Sequence, residues 1–193
     1  MNDAARDGNE SQRYTRDAGG VRDALRSART QHGEDLLALS KRSPVLIALL
    51  RHTGCPFCQE ALRDIRQQRE RIEACGVRIV VVFQAPEGEF AESFFEKAGL
   101  ADVDRVGDPD RRLYEAMDVK RGNLWEIFGP HVLLRVIQSV AAGIRPGKKV
   151  GGDAMQLPGT VLVHQGEIVR RHVHRSQADR ANYEAIACEA PAA

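Results

Sequence analysis

The sequence has almost no net charge and no long apolar stretch. Its 28 Lys and Arg residues face 27 Asp and Glu residues, which leaves a formal charge of +1. No overall field therefore draws the chain to nucleic acid or to an anionic membrane. No run approaches the eighteen or so apolar residues that span a bilayer, and residues 1–20 lack the apolar segment of a signal peptide. We expect a soluble, cytoplasmic protein whose partners are recognised at local sites.

The sequence is also poor in cysteine, and two of its four cysteines stand close together. Cys55 and Cys58 lie in "LIALLRHTGCPFCQEALRDI", between an apolar run and a helical pattern. In a reducing compartment such a pair is more often catalytic or metal-binding than part of a disulfide scaffold. We expect Cys75 to be an inert core cysteine, and Cys188 to be either another or a third thiol.

The start of the chain differs in composition from the rest. Residues 1–32 are polar and charged, and their apolar Val21 and Leu25 are too sparse to define a core face. We expect a mobile or loosely docked N-terminal extension. Residues 33–193 carry enough apolar residues for one globular domain with a core of its own.

Two apolar runs predict buried strands. "SPVLIALLRH" and "VRIVVVF" are continuous apolar runs, as in strands covered on both faces, and the segment from Pro56 between them has helical periodicity. Two strands joined by a helix form a parallel unit. Further along we predict a helix in "PEGEFAESFFEKAG", a short strand in "DVDRVG" and a helix in "DPDRRLYEAMDV". An insertion follows over 121–156, with a helix that ends at Gly143. The chain then forms a hairpin around Gln165 and Gly166 and a last helix in "QADRANYEAIACEA".

Three motifs carry a family resemblance over residues 33–188. "RHTGCPFC", "DPDRRLYEAM" and "GDAMQLPGTVLVHQGEI" together resemble the peroxiredoxin-like branch of the alkyl hydroperoxide reductase and thiol-specific antioxidant superfamily. The resemblance implies an α/β, thioredoxin-like fold with a central mixed sheet flanked by helices. The N-terminal extension and the helical insertion would be additions to this fold. The resemblance also implies that Pro158 is a cis-proline that lies against the reactive cysteine.

The chemistry of Cys55 follows from its place before a helix. Unpaired backbone N–H groups and the positive end of the helix dipole favour a thiolate there. C-x-x-C motifs at helix starts lower the cysteine pKa from about 8.5 to roughly 7 or below. Cys58 lies on the apolar stripe of the helix, so we expect it to be the more buried partner. Residues three apart are near enough for a disulfide after modest adjustment.

Other interpretations of the pair are weaker. A ring this small gains only roughly 2 kcal/mol as a structural staple, against about 4.7 kcal/mol for a 100-residue loop. Zinc needs two further ligands, for which His52, His131 or the pair His172 and His174 are the candidates, and no second C-x-x-C is present. We therefore expect neither a metal nor a cofactor.

The residues before Cys55 depart from the peroxidase pattern of the family. True peroxiredoxins carry a proline, a threonine or serine, and an arginine where this chain has Ala48, His52 and Pro158, and Thr53 is one residue too close to Cys55. His52 could stabilise the thiolate or donate a proton, or it could be structural. Arg51 could act electrostatically at the site, but we favour a solvated side chain.

These residues predict a thiol-disulfide oxidoreductase. Cys55 would attack, Cys58 would resolve, and Pro158, His52 and Thr53 would shape the site. The first alternative is a hydroperoxide reductase in which Cys55 becomes a sulfenic acid. The second is a non-catalytic redox or metal-binding switch. The expected partners are a protein or small-molecule disulfide, or a hydroperoxide, and an external thiol reductant, with no nucleic acid or membrane. The oligomeric state stays open, a homodimer included.

Overall fold

A five-stranded mixed sheet forms the centre of the computed structural model, which describes residues 18–144, 147 and 151–188. The strands are β1 (Val45–Leu49), β2 (Arg78–Phe83), β3 (Asp104–Gly107), β4 (Gly159–His164) and β5 (Glu167–His172). They follow the order β3-β2-β1-β4-β5. The pairs β1–β2 and β2–β3 are parallel, whereas β1–β4 and β4–β5 are antiparallel. The predicted parallel unit and the predicted hairpin are both confirmed.

Helices cover both faces of the sheet. In the described residues they are α1 (Ala18–Ser27), α2 (Leu36–Arg42), α3 (Pro56–Ala74), α4 (Glu89–Ala98), α5 (Arg112–Ala116), α6 (Leu124–Phe128), α7 (Pro130–Ala141) and α8 (Tyr183–Cys188). Helices α3, α4 and α8 bury side chains in the core on one face, and α1, α2 and α5 do so on the other. None of the described helices combines the length and apolar character that a membrane crossing requires.

Strand β1 lies at the centre of the core. All five of its residues are buried. Leu46 and Ala48 pack into the core beneath α3, while Ile47 and Leu49 pack into the core beneath α1 and α2. Burying each large aliphatic side chain stabilises the fold by about 1.5–3 kcal/mol. The continuous apolar run is therefore explained by a strand without a solvent face.

The start of the described chain is a packed helix. Val21 and Leu25 of α1 are buried, and Leu25 has no exposed surface. Our interpretation that these residues are too sparse to define a core face is wrong, since a spacing of four residues puts both on the same side of a helix. Arg22 also pairs with Glu167 of β5, with 2.9 Å between Nη2 and Oε1. Residues 1–17 lie outside the described residues.

The segment between α5 and β4 contains the two helices α6 and α7. Asn123 caps α6 by accepting hydrogen bonds from the N–H groups of Trp125 and Glu126, and the Glu126 carboxylate accepts a bond from the N–H of Asn123. This reciprocal cap fixes the start of α6. Helix α7 ends before Gly143, whose φ of +84° lies in the left-handed region that favours glycine. The predicted helix end at Gly143 is confirmed.

Candidate active site

Cys55 lies between the end of the central strand and the start of α3. It is the N-cap residue of α3, and Pro56 occupies the first helical turn. The backbone N–H of Cys55 donates to the carbonyl of His52 at 3.1 Å, and its own carbonyl accepts from the N–H of Cys58 at 3.1 Å. The expected placement of Cys55 before a helix is confirmed. Its side chain stands at the end of the helix where N–H groups have no intrahelical partner.

Both thiols are buried to the same degree. Cys55 is 2% exposed and Cys58 is 3% exposed, and both are free cysteines. Our expectation that Cys58 would be the more buried partner is wrong. The reason is that the buried Arg51 and Gln177, which hydrogen-bond to each other, lie on the Cys55 side. Burial therefore does not distinguish the two sulfurs.

Electrostatics does distinguish them. The pKa of Cys55 falls to about 6, because the thiol of Cys58 hydrogen-bonds to its sulfur and the charge of Arg51 stabilises the thiolate, against the opposing effect of burial. The pKa of Cys58 is raised well above its ordinary value, first by that same hydrogen bond and then by burial. At neutral pH the pair is therefore a Cys55 thiolate beside a Cys58 thiol.

Arg51 is the cation of this site, a role that the sequence interpretation considered but did not favour. It is only 4% exposed, and its Nη1 lies 3.4 Å from the sulfur of Cys55. The guanidinium also donates to the carbonyls of Gln156, at 2.8 Å, and of Ala154, and to the side chain of Gln177. Our interpretation of Arg51 as a solvated residue is wrong, because segments over a hundred residues away supply its acceptors. The available signal was its position, two residues beyond a fully buried strand and four before Cys55.

His52 and Thr53 occupy the turn between Arg51 and Cys55. The carbonyl of His52 accepts a hydrogen bond from the N–H of Cys55, so its backbone helps to position Cys55. The side chain of His52 is half-buried, and Thr53 is buried. The catalytic roles of their side chains stay predictions.

Pro158 lies on the Cys58 side of the site, and its peptide bond is trans. No described peptide bond is cis, so the expectation of a cis-proline is wrong. The trans form is favoured by about 0.5–1 kcal/mol in X-Pro bonds, and the preceding segment is fixed without the cis form, since the N–H of Leu157 donates to the carbonyl of Lys120 at 3.3 Å. Pro158 still borders the same small cavity as Arg51 and Cys58.

That cavity is polar at its far end. Its volume is about 20 Å³, enough for roughly one water molecule. Asp64 is held there by a two-pronged ion pair with Arg180, with 2.9 Å between Nε and Oδ2. Burial, followed by the charge of Asp64, raises the pKa of Tyr183, so its hydroxyl stays protonated. Burial also lowers the pKa of His174 to about 4, which leaves a neutral imidazole. The surroundings of Cys58 thus hold few free charges.

A larger groove lies on the other side of α3. Its volume is about 540 Å³, within the range of roughly 300–1,000 Å³ that is usual for ligand pockets. Its lining includes Thr53, the aromatic rings of Phe90 and Phe94, and three cations, Arg63, Arg66 and Lys97. None of the described lining residues is acidic. The groove therefore suits a ligand with an apolar body and a negative charge.

The remaining two cysteines form a disulfide. Cys75 follows the end of α3 and Cys188 ends α8, and their Cα atoms are 5.5 Å apart across the bond. Both residues are exposed. The expectation of an inert core cysteine at 75 and of a separate cysteine at 188 is wrong, because the docking of α8 on α3 brings together two positions 113 residues apart.

The candidate zinc ligands do not join the dithiol. The donor cluster that the structure forms contains His172, His174 and Asp179, whose ligand atoms lie within 4.8 Å of one another, and no cysteine. Both ring nitrogens of His174 already face polar atoms, namely the hydroxyl of Thr160 at 3.4 Å and the carbonyl of Asp179 at 3.2 Å. The predicted alternative of a cysteine-histidine zinc site finds no support in this arrangement.

Comparison with protein families decides the classification of this thiol site. The family model described as "AhpC/TSA antioxidant enzyme" matches residues 64–176, more than half of the chain. The chain belongs to the AhpC/TSA antioxidant enzyme family. The predicted family is thereby confirmed, although the match does not include the "RHTGCPFC" motif, and the protein is a thiol-dependent oxidoreductase. The matched segment contains Pro158 but begins after Cys58, so the roles of the two cysteines remain proposals.

Solved structures share the thioredoxin-like fold. The bacterioferritin comigratory protein of Xanthomonas campestris is 18% identical, with a TM-score of 0.51 over 75% of this chain and 78% of that one. The peroxidoxin BcpB of Mycobacterium tuberculosis is 15% identical, with a TM-score of 0.52 over 79% and 82%. A prostamide/prostaglandin F synthase of Sus scrofa is 28% identical over 167 residues, which are 84% of this chain and 81% of the relative. The predicted fold class is confirmed.

Proposed function

We propose that this AhpC/TSA-family protein reduces a hydroperoxide, with Cys55 as the attacking thiolate and Cys58 as the resolving thiol. The observation that supports this most is the guanidinium of Arg51, 3.4 Å from the sulfur of Cys55 in a buried site. A fixed cation in a dry site stabilises both the thiolate and the negative charge that develops on the peroxide oxygen. It occupies the electrostatic role of the arginine that the sequence pattern lacks at Pro158.

The reaction proceeds in two balanced steps. The Cys55 thiolate attacks the terminal oxygen of the hydroperoxide, the O–O bond breaks, and the alkoxide takes a proton to leave as an alcohol or water. Cys55 is thereby oxidised by two electrons to a sulfenic acid. The Cys58 sulfur then attacks Cys55, an S–S bond forms, the S–O bond breaks, and hydroxide leaves with the Cys58 proton as water. An external thiol reduces the disulfide.

Thiol-disulfide exchange, the function predicted first from the sequence, becomes the second candidate. The C-x-x-C spacing and the separated pKa values of the two cysteines favour it. Two features oppose it. A protein disulfide needs an in-line approach to a sulfur that is only 2% exposed here, and the docking edge expected at Pro158 rested on a cis bond. A small hydroperoxide needs less room at the sulfur of Cys55, because only its terminal oxygen has to reach it, and it needs no docking edge at Pro158.

The groove beside Thr53 bears on the substrate. The relative from Sus scrofa is named a prostamide/prostaglandin F synthase, and an apolar groove of about 540 Å³ with three cations accommodates a ligand of that amphiphilic kind. A prostanoid is therefore a candidate substrate, held in a groove whose lining includes Thr53, two residues before Cys55, but neither cysteine. The test measures turnover of a prostanoid by the Arg66→Ser and Lys97→Ser variants. Slower prostanoid turnover with unchanged reduction of hydrogen peroxide would support this substrate. Unchanged prostanoid turnover in both variants would reject it.

The main test compares oxidants of the reduced protein by stopped flow. Hydrogen peroxide, cumene hydroperoxide and a small disulfide are supplied at equal concentration, and the Cys58→Ser variant is treated with dimedone to trap the sulfenic acid. We expect the hydroperoxides to react faster than the disulfide and the variant to accumulate dimedone adduct at Cys55. A disulfide that reacts faster than either hydroperoxide, or an adduct at another cysteine, would contradict the proposal.

A further inference from the structure

Helices α6 and α7 carry a large apolar surface that nothing in the described chain covers. Its seven members share exposures between 45% and 71%, and we call them the apolar face: Leu124, Trp125, Phe128, Leu133, Leu134, Ile137 and Val140. Side chains of this size and exposure present on the order of 700 Å² of apolar surface. The largest patch on a typical monomer is about 300–600 Å². The apolar face is therefore large enough to indicate a binding partner.

The opposite side of α7 already packs on the molecule. Val132 and Ser139 are buried, and Ser139 donates a hydrogen bond to Glu60 of α3. Arg135 pairs with the same carboxylate, with 3.0 Å between Nη2 and Oε2. The apolar residues Leu133, Ile137 and Val140 are spaced by four and three, so they form one stripe on the outer side of the helix. Helix α7 is thus held in place with its apolar face outward.

Among the described residues, the charges around the apolar face favour a second copy of the chain over an anionic bilayer. Arg135 is the charged residue of α7, and it is held by Glu60, while Lys120 beside α6 pairs with Glu126 at 2.7 Å. A membrane of anionic lipids gains from unpaired cations around the apolar surface. A twofold-related copy instead requires that no like charges meet across the axis. The centre of the face, around Ile137, satisfies that requirement.

The area also matches what a stable pair needs. A standard interface buries about 800 Å² on each partner, and its centre is apolar and depleted of charge. The apolar face offers an area of this order on one side of the molecule. Its stripe on α7 runs about 10 Å from Leu133 to Val140 at 1.5 Å per residue, so two antiparallel copies can pack stripe against stripe with Ile137 close to the axis.

We propose that the apolar face is the contact surface of a symmetric homodimer, in which α7 of one protomer packs antiparallel on α7 of its partner. The pairing is isologous, so a residue before Ile137 in one protomer contacts a residue after Ile137 in its partner, and the reverse contact also forms. Trp125 and Phe128 of α6 supply the aromatic anchors that dominate such interfaces.

The mass in solution tests the dimer. We expect the full chain, with its mass of 21.3 kDa, to sediment at twice that mass at micromolar concentration. Ile137→Asp should weaken the association at least about a hundredfold, since it buries two facing carboxylates at the axis. Val140→Asp and Val173→Asp form a matched pair, because the two valines are 45% and 49% exposed and only Val140 lies in the apolar face. Val140→Asp should weaken the dimer and Val173→Asp should not.

Cross-linking identifies the symmetry. The background chain carries Cys55→Ser and Cys58→Ser, so that Ile137→Cys supplies the free thiol among the described residues. A short bis-maleimide should cross-link this cysteine to the same cysteine of the second protomer. The control, Val173→Cys in the same background, should not be cross-linked. A monomer throughout the micromolar range, or the absence of a cross-link in the Ile137→Cys variant, would overturn the proposal. Binding of the monomer to phosphatidylcholine or phosphatidylglycerol vesicles, abolished by Ile137→Asp, would overturn it in favour of a lipid surface.

Discussion

The two cysteine pairs of this molecule are opposites in almost every respect. Cys55 and Cys58 are three residues apart, buried and free, whereas Cys75 and Cys188 are 113 residues apart, exposed and bonded. Both pairs lie at ends of α3, the first at its N-terminus and the second at its C-terminus. One helix thus carries the proposed reactive dithiol at one end and a disulfide at the other.

The difference shows what each pair can contribute. Closing a loop of three residues restricts the unfolded chain little, while closing a loop of over a hundred residues restricts it by about 4.7 kcal/mol in the chain-entropy model. The short pair is therefore suited to chemistry, and Arg51 supplies the charge that this chemistry needs. The long pair is suited to stability, because it fastens α8, whose Tyr183 and Ala187 pack in the core around Cys58.

The largest effect that separates the pairs is on turnover. Cys55→Ser should lower the rate of hydroperoxide reduction by at least about a thousandfold, since it removes the nucleophile. Cys188→Ser should leave that rate within about twofold. Peroxide consumption with a thiol reductant measures both variants. Equal losses of rate in the two variants would contradict the assignment of catalysis to Cys55 and Cys58 and of stability to Cys75 and Cys188.

Removal of the buried cation should have the next largest effect. Arg51→Met should slow oxidation of Cys55 by about a hundredfold to a thousandfold, the usual cost of losing one stabilising group in a charged transition state. The pH midpoint of the rate should also rise from about 6, because the charge of Arg51 contributes to the lowered pKa of Cys55.

Two further variants separate this effect from a loss of folding. Arg51→Lys keeps the charge and should restore part of the rate, although it loses the multiple bonds of the guanidinium. Arg112→Met removes an exposed arginine and should change nothing. Stopped-flow rates together with thermal unfolding of each variant provide the measurement, and an unshifted pH midpoint in Arg51→Met would show that Arg51 is structural only.

Loss of the long disulfide should affect stability and spare the chemistry. Cys188→Ser should lower the free energy of unfolding by about 2–4 kcal/mol. Cys75→Ser should give the same loss, and the double variant should lose no more than either, because one bond is removed in all three. Urea unfolding followed by circular dichroism measures this, and additive losses would mean that the two sulfurs act separately.

The smallest effect concerns pH. The lowered pKa of about 6 keeps Cys55 ionised at neutral pH, so its alkylation by iodoacetamide should level off above pH 7 and fall about tenfold between pH 7 and pH 5. Cys58, whose pKa is raised, should stay unmodified over that range. Mass mapping after brief treatment distinguishes the two, and a rate that keeps rising to pH 9 would indicate an ordinary thiol.

The parts of this structure that the sequence predicts depend on local patterns. The apolar run of β1, the helix that begins at Pro56 and the hairpin at Gln165 and Gly166 each follow from periodicity or turn chemistry within about twenty residues. The position of Cys55 at a helix start follows from the same patterns. Because this step alone favours a thiolate, the identity of the nucleophile could be proposed without a structure.

The parts that the sequence does not predict depend on distant contacts. The carbonyl and side-chain acceptors of Arg51 come from residues 154–177, and the partner of Cys75 is 113 positions away. Periodicity does not report which loops converge at the end of a strand. The buried arginine was therefore interpreted as a solvated one, and the disulfide-bonded Cys75 as a free core cysteine. The exposed stripe of α7 belongs here too, since an amphipathic pattern does not say which face is covered.

The central place of β1 has a consequence for how the backbone exchanges its amide hydrogens with solvent. The strand is paired along its whole length on both edges, with β2 on one side and β4 on the other. Amides held in this way exchange with deuterium only when the entire molecule opens, in contrast to those of helix ends and loops. The β1 amides should therefore be the slowest to exchange in the reduced and the oxidised protein alike, while the first turn of α3 differs between the two states. The backbone of Arg51 therefore follows directly from the strand that we expect to open last.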